Sequence, residues 1–165
     1  MDTPKLFYHI YKNNVTAEQH YLPWALFMLE KDYESPSLYI LASLQKPYNI
    51  FEVEDYFRRT VEELKIIVPS EQECIDYMVY TRLQNIVKDE DLAITEAYEL
   101  YNMFCELDCP QDLVAWVHIS DLIDNFQYEY NDLKVSKEVL LQEIIKEAKN
   151  HLKNYSSWSD KKGES

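Results

Sequence analysis

Residues 136–155 of the chain read SKEVLLQEIIKEAKNHLKNY. Apolar side chains return every three or four residues along this stretch, which is the spacing of one buried face of an amphipathic helix. Lysine and glutamate dominate the other face, as expected for solvent, and Ser136 precedes the stretch as an N-cap. The predicted inner residues are Leu141, Ile144, Ile145, Ala148, Leu152 and Tyr155. The pattern predicts a helix over the whole stretch.

The same periodicity recurs along the rest of the chain. Thr16, Asn49 and Ser70 are each followed three residues later by Gln or Glu, the pattern of an N-terminal capping box. The predicted helices cover 4–12, 17–31, 36–45, 50–66, 71–88, 92–108, 111–128 and 136–155. We expect an all-α fold over residues 1–155, either a single-domain antiparallel bundle or an irregular α-α array of six to eight helices. Residues 156–165 are expected to be a disordered tail.

The 165 residues contain a single glycine, Gly163, near the C-terminal end. Phosphate-binding loops need glycine because their backbone amides must approach the phosphates closely and adopt positive φ. Dinucleotide-binding loops, Walker loops and the G-x-S-x-G nucleophile elbow therefore cannot be written in residues 1–162. Tight β-hairpin turns also favour glycine. The composition excludes these enzyme classes and disfavours a β-rich fold.

The charge of the chain is concentrated in its middle. Thirty acidic and sixteen basic residues give a net charge of −14, and residues 47–133 hold twenty of the acids with only five bases. Such a surface argues against nucleic acid as a partner, because phosphates are also negative. It suits either a solvated face that aids solubility or a face that binds a basic protein. Arg58 and Arg59 are expected to form salt bridges within their acidic helix.

Two groups of acidic residues, mixed with tyrosine, are the candidate partner-binding residues. The first is the charged turn at 88–91, which Glu96 and Glu99 extend, and the second surrounds the end of the predicted helix 111–128. Tyrosine offers a large contact area with a polar tip, and fourteen tyrosines exceed what a core needs, so some should be exposed. The candidate residues are Asp89, Glu90, Asp91, Asp121, Asp124, Tyr128, Glu129, Tyr130 and Asp132.

Motifs for a metal or a nucleophile are incomplete. Cys105 and Cys109 lie four residues apart and His118 follows them, but a zinc site needs four ligands in paired spacing. Because apolar residues neighbour these cysteines, we expect them to be buried structural thiols. Glu147 and His151 lack the Glu-x-x-His spacing of di-iron bundles. The sequence thus predicts no catalytic residue, metal or cofactor, with a cysteine- or metal-centred enzyme as an alternative.

The sequence also bears on the compartment. The N-terminus lacks the features of a secretory signal, and the most apolar run, 22–29, is too short to cross a bilayer. Three cysteines are an odd number for a disulfide framework and fit a reducing environment. We therefore expect a cytoplasmic protein that does not bind membranes.

Two stretches carry a resemblance to a known class of protein. IFEVEDYFRRTVEEL at 50–64 and DLAITEAYELYNMFCELDCPQDLVAWVHISDLIDNF at 91–126 resemble the small acidic all-helical immunity proteins that bacteria encode beside secreted or contact-delivered toxins. The resemblance lies in size, acidity and helical content, and it covers most of residues 17–155. It implies a non-enzymatic intracellular protein that blocks a basic toxin, often a nuclease. The alternative is a helical scaffold or homo-oligomeric adaptor that uses an apolar face.

Overall fold

The computed structural model describes residues 1–128 and 136–156, and its regular structure there is entirely helical. A π-helical turn at Ala17–Tyr21 leads into the second helix, and short 3-10 turns lie before the seventh and after the eighth. The α-helices are α1 (Thr3–Tyr11), α2 (Leu22–Glu30), α3 (Pro36–Ser43), α4 (Ile50–Glu63), α5 (Glu71–Lys88), α6 (Glu90–Glu106), α7 (Ala115–Tyr128) and α8 (Lys137–Leu152). The predicted all-α class and number of helices are confirmed. Apart from Ser156, the predicted tail lies outside the described residues.

Polar side chains begin several of these helices, as the sequence predicts. Ser70 and Glu73 form a complete capping box: the Glu73 amide donates to Ser70 Oγ at 3.3 Å, and the Ser70 amide donates to the Glu73 carboxylate at 2.8 Å. Ser35 and Ser136 cap α3 and α8 by accepting backbone amides at 3.2 and 3.3 Å, and Asn49 caps α4 at 3.1 Å. Each cap satisfies a backbone donor and contributes about 1 kcal/mol.

Four helices end in a left-handed residue that is not glycine. In each, an amide just beyond the helix donates to a carbonyl five residues earlier at 2.9 to 3.1 Å, which is the defining hydrogen bond of a Schellman turn. Asparagine and aspartate tolerate the left-handed region, whereas lysine adopts it at a steric cost. The residues and their φ angles are Asn13 (52°), Asp32 (61°), Lys65 (52°) and Asp108 (57°).

The chain divides into two compact units, Met1–Met78 and Val79–Ser165. The division falls inside α5, so the first part of that helix belongs to unit 1 and the rest belongs to unit 2. Unit 1 also contains α1 to α4, and unit 2 contains α6 to α8. No helix in the described ranges is long and apolar enough to span a membrane.

Unit 1 is built around aromatic side chains. The ring of Phe57 on α4 lies 4.9 to 5.7 Å from the rings of Phe7, Tyr21 and Trp24, measured between ring centroids. Trp24 is fully buried, and its indole N–H donates to Thr3 Oγ1 at 3.0 Å. The aromatic cluster therefore joins α1, α2 and α4.

In unit 2, α6, α7 and α8 pack against one another around Trp116 of α7. The indole N–H of Trp116 donates to Nδ1 of His151 on α8 at 3.1 Å. His151 and Leu140 are buried, whereas Leu141, Ile145 and Leu152 are only half-buried. The inner face of α8 is therefore rotated from the predicted one, because the indole needs an acceptor that histidine supplies.

Candidate partner-binding surface

The described candidate residues lie on α6, on α7 and on the turn that begins α6. A groove between the two helices is lined by Ile94 and Tyr98 from the first half of α6 and by Ile123 and Tyr128 from the second half of α7. Since the end of α7 lies beside the beginning of α6, the two helices run antiparallel. The antiparallel pair brings the charged turn and the C-terminal end of α7 to the same end of unit 2.

The charged turn consists of exposed acids that also stabilise α6. Asp89 is the N-cap of the helix, and its Oδ1 accepts the amide of Asp91 at 3.0 Å. Glu90 and Asp91 occupy the first turn, where negative charge is favoured by the helix dipole. All three side chains are exposed. These acids can therefore face a partner without destabilising the helix that carries them.

The second group lies along one face of α7. Asp121, Asp124 and Tyr128 are spaced by three and four residues, so they project from the same side of the helix. Asp121 is exposed, Asp124 is half-buried and Tyr128 is 61% exposed. Glu129, Tyr130 and Asp132, which belong to the same predicted group, lie outside the described residues.

Asp124 also contributes to the electrostatics of α6. The pKa of Tyr101 on α6 is raised mainly by its hydrogen bond to Cys105 and further by the charges of neighbouring groups, including Asp124. Tyr101 in turn packs against Tyr98, with 5.7 Å between ring centroids. Acid and tyrosine are thus interspersed across both helices, as the sequence predicts, and exposed tyrosines are confirmed at Tyr98 and Tyr128.

Glu96 and Glu99 differ from the other acids because Arg82 of α5 pairs with both. Arg82 Nη1 lies 2.6 Å from Glu96 Oε2, and Nη2 lies 3.2 Å from Glu99 Oε2. Asn85 also donates to Glu96, at 2.8 Å. The Glu96 side chain is 15% exposed and the Glu99 side chain 43% exposed. One guanidinium therefore faces two carboxylates, and the cluster keeps one negative charge.

The acids of the charged turn and of α7 differ from Glu96 and Glu99 in their ion pairing. In the ranges that the structure describes, no lysine or arginine forms an ion pair with the carboxylates of the charged turn or of α7. The contrast is α4, where Arg58 pairs with Asp55 and Glu62 at 2.7 and 3.1 Å and Arg59 pairs with Asp55 at 2.6 Å. The predicted role of these two arginines is confirmed.

The cysteines correct one expectation. Cys105 and Cys109 were expected to be buried, and both are exposed. Cys105 lies in the last turn of α6 and Cys109 lies three residues beyond the helix, and the neighbouring Phe104 and Leu107 are themselves only half-buried. Cys74 is the buried thiol, and burial raises its pKa to about 11. Among residues 1–128 and 136–156, no group of three His, Cys, Asp or Glu side chains is placed to hold a metal ion.

Comparison of the chain with protein-family models, with curated proteins and with solved structures gives no match. The sequence indicated the acids of this surface but not the groove, of whose lining only Tyr128 and Glu99 belonged to the predicted acidic groups. The spacing of Asp91, Thr95 and Tyr98 by four and three residues is a signal for the α6 side of the groove, since it places them on one helix face.

Proposed function

We propose that the protein is a non-enzymatic binding protein that inhibits a basic protein partner through an acidic face on α6 and α7. We define the acidic face as Asp89, Glu90, Asp91, Asp121, Asp124 and Tyr128. The observation that supports the proposal is that five carboxylates lie on one antiparallel helix pair without a basic partner in the described part of the chain. Such a field accelerates association with a basic protein and rejects acidic ones.

The partner that we propose is a basic toxin, and the cellular role is immunity to it in the bacterial cytoplasm. A nuclease is the most suitable toxin, because it binds phosphates through a positive surface that an acidic face can occupy instead. The resemblance of residues 50–64 and 91–126 to acidic all-helical immunity proteins supports this assignment. Inhibition needs no catalytic group on this chain, only an interface of ordinary size, about 1,600 Å².

The test begins with affinity capture from the native host at low salt, followed by elution at high salt, to identify the partner. Association of the captured partner with the wild type is then compared with that of the double variant Asp121→Lys and Asp124→Lys. We expect a rate about tenfold or more lower for the variant, since electrostatic steering is reversed locally. The midpoint of thermal unfolding should be nearly unchanged, because neither carboxylate has an ion pair in the described ranges.

The matched control is the double variant Glu52→Lys and Glu54→Lys. It makes the same change in net charge at exposed positions of α4, in unit 1. If this control slows association as much as the α7 variant does, the effect is one of net charge and the acidic face is not the binding site. Equal binding by the α7 variant and the wild type would also reject the proposal.

A second candidate function, a helical scaffold or homo-oligomer, is favoured by exposed apolar side chains in unit 1. Ile67 is 90% exposed, Phe51 is 79% exposed, and Leu26 and Val68 are about half exposed. Apolar side chains exposed to this degree are typical of contact surfaces when they are contiguous. This function predicts a salt-insensitive dimer in light scattering that Phe51→Glu or Ile67→Glu dissociates. A monomer at high protein concentration would reject it.

A further inference from the structure

The groove between α6 and α7 has two aromatic residues in its lining. Tyr98 and Tyr128 are 37% and 61% exposed, Ile94 is half-buried, and Ile123, which also belongs to the lining, is fully buried. The volume is about 300 Å³, at the lower end of the range for ligand pockets, and it can accommodate one long side chain. The packing of Tyr98 against the Tyr101 ring restricts its motion, so less entropy is lost when a ligand contacts it.

The groove also carries negative charge that Arg82 balances only in part. Glu99 lines it beside Tyr98. Arg82 is shared between Glu99 and Glu96, and its shorter contact, 2.6 Å against 3.2 Å, is with the more buried Glu96. Glu99 therefore presents a partly exposed carboxylate whose charge is only incompletely balanced. Two tyrosine rings with one such carboxylate are complementary to a cation that has a long apolar stem.

We infer that this groove binds an arginine side chain of the basic partner, with the guanidinium against Tyr98 and Tyr128 and paired with Glu99. The inference rests on the proposed function and specifies how the partner is anchored. Asp91 and Asp124 lie on the groove side of their helices by spacing, so they add to the attraction. The rest of the acidic face then steers the partner, and the groove fixes its register.

Arginine is preferred over lysine on physical grounds. A guanidinium is planar and weakly hydrated, so it stacks on an aromatic face and pairs with a carboxylate at the same time. An ammonium group is compact and strongly hydrated, and it gains less than a guanidinium from contact with the faces of tyrosine rings. The acidic face alone discriminates little between the two, because it acts through charge. A preference for arginine is therefore the signature of the groove.

The experiment uses the full chain and two fluorescently labelled peptides, nona-arginine and nona-lysine, in anisotropy titrations at low salt. The variant is Tyr98→Leu with Tyr128→Leu, which keeps apolar area but removes the aromatic faces. The matched control is Tyr33→Leu with Tyr39→Leu, at tyrosines of unit 1 that are 48% and 50% exposed. We expect the groove variant to bind nona-arginine about tenfold more weakly. Binding of nona-lysine, and of both peptides to the control, should stay nearly unchanged.

Two results would count against the inference in distinguishable ways. If the groove variant binds both peptides as the wild type does, the groove is not an arginine site. Binding of both peptides that weakens at high salt would still be consistent with the acidic face of the proposed function. If the wild type binds neither peptide at low salt, the proposed function itself fails. A check that needs no variant is to follow the amide chemical shifts of Thr95, Tyr98 and Gln127 in the wild type during the nona-arginine titration. Unchanged shifts would also overturn the inference.

Discussion

Acidification is expected to destabilise unit 2 through one buried histidine. His151 is 5% exposed, and its Nδ1 accepts the indole N–H of Trp116 at 3.1 Å. Its Nε2 is buried and has no hydrogen-bond partner among the described residues. A proton added to Nδ1 would face the indole proton, so the charged form loses this hydrogen bond and gains no acceptor at Nε2. The folded state therefore holds His151 neutral.

The size of the effect follows from proton linkage. Burial lowers the pKa of His151 below its ordinary 6.5, against the opposing influence of Asp112 and Glu147. A group whose folded pKa is depressed binds more protons when unfolded, so its stabilisation is complete above the unfolded pKa and is lost as the pH falls. The loss amounts to about 1.4 kcal/mol per pH unit below 6.5, until the folded pKa is reached. For a chain of this size each kcal/mol lowers the thermal midpoint by about 2 to 4 °C.

The assay is urea unfolding of the wild type and of His151→Phe at a series of pH values from about 7.5 down to about 5. The variant leaves the Trp116 N–H without its acceptor, so it should be less stable by about 1 to 3 kcal/mol at neutral pH. Its stability should nevertheless fall less steeply with acid. The matched control is His118→Gln, because His118 is exposed.

The His151→Phe variant should retain part of the pH dependence through a second histidine. His20 in unit 1 is buried, and burial is the main reason that its pKa is also lowered. Its Nδ1 accepts the amide of Thr16 at 3.0 Å, which is a contact of the neutral ring. The decisive quantity is therefore the difference in slope between wild type and His151→Phe. Equal slopes for the two proteins would refute the reasoning about His151.

Two further predictions concern backbone strain and thiols. Lys65→Gly should stabilise the protein by about 0.5 to 1 kcal/mol in urea unfolding, because glycine removes the steric cost of φ 52°. The matched control is Lys149→Gly at an exposed position of α8, which should destabilise the protein by about 1 kcal/mol. If both substitutions change the free energy of unfolding in the same direction, the explanation by backbone strain is wrong. In a thiol titration of the native protein, Cys105 and Cys109 should react promptly while Cys74 reacts only after denaturant is added. Prompt reaction of all three thiols would show that the burial of Cys74 is wrong.

The helices were predictable because their signals are local. The box at Ser70 and Glu73 closes within one turn, and Asn49 and Ser136 accept amides two or three residues away. Apolar periodicity then fixes which face is buried to within about one position. The first and last residues of each predicted helix accordingly lie within about one turn of the observed helix boundaries.

The errors arose where distant residues decide the environment. His151 takes an inner position on α8 because Trp116, thirty-five residues earlier in the chain, needs an acceptor. Arg82 reaches Glu96 and Glu99, which were interpreted as contact acids, from the preceding helix. Neither pairing has a local signature. The exposure of Cys105 likewise depends on which neighbours pack against the last turn of α6, and sequence periodicity does not contain that information.

The glycine-free Schellman turns have a consequence for the unfolded chain rather than for the folded one. An average protein of 165 residues contains about eleven glycines, each of which widens the conformational ensemble of the unfolded state. A non-glycine residue in place of a glycine lowers the conformational entropy of the unfolded chain, which stabilises the folded state by about 0.4 to 1 kcal/mol. The steric cost at Lys65 is therefore set against a smaller loss of chain entropy on folding. The protein thus has a local steric cost in one turn of the folded state, and its unfolded state has less conformational entropy to lose on folding.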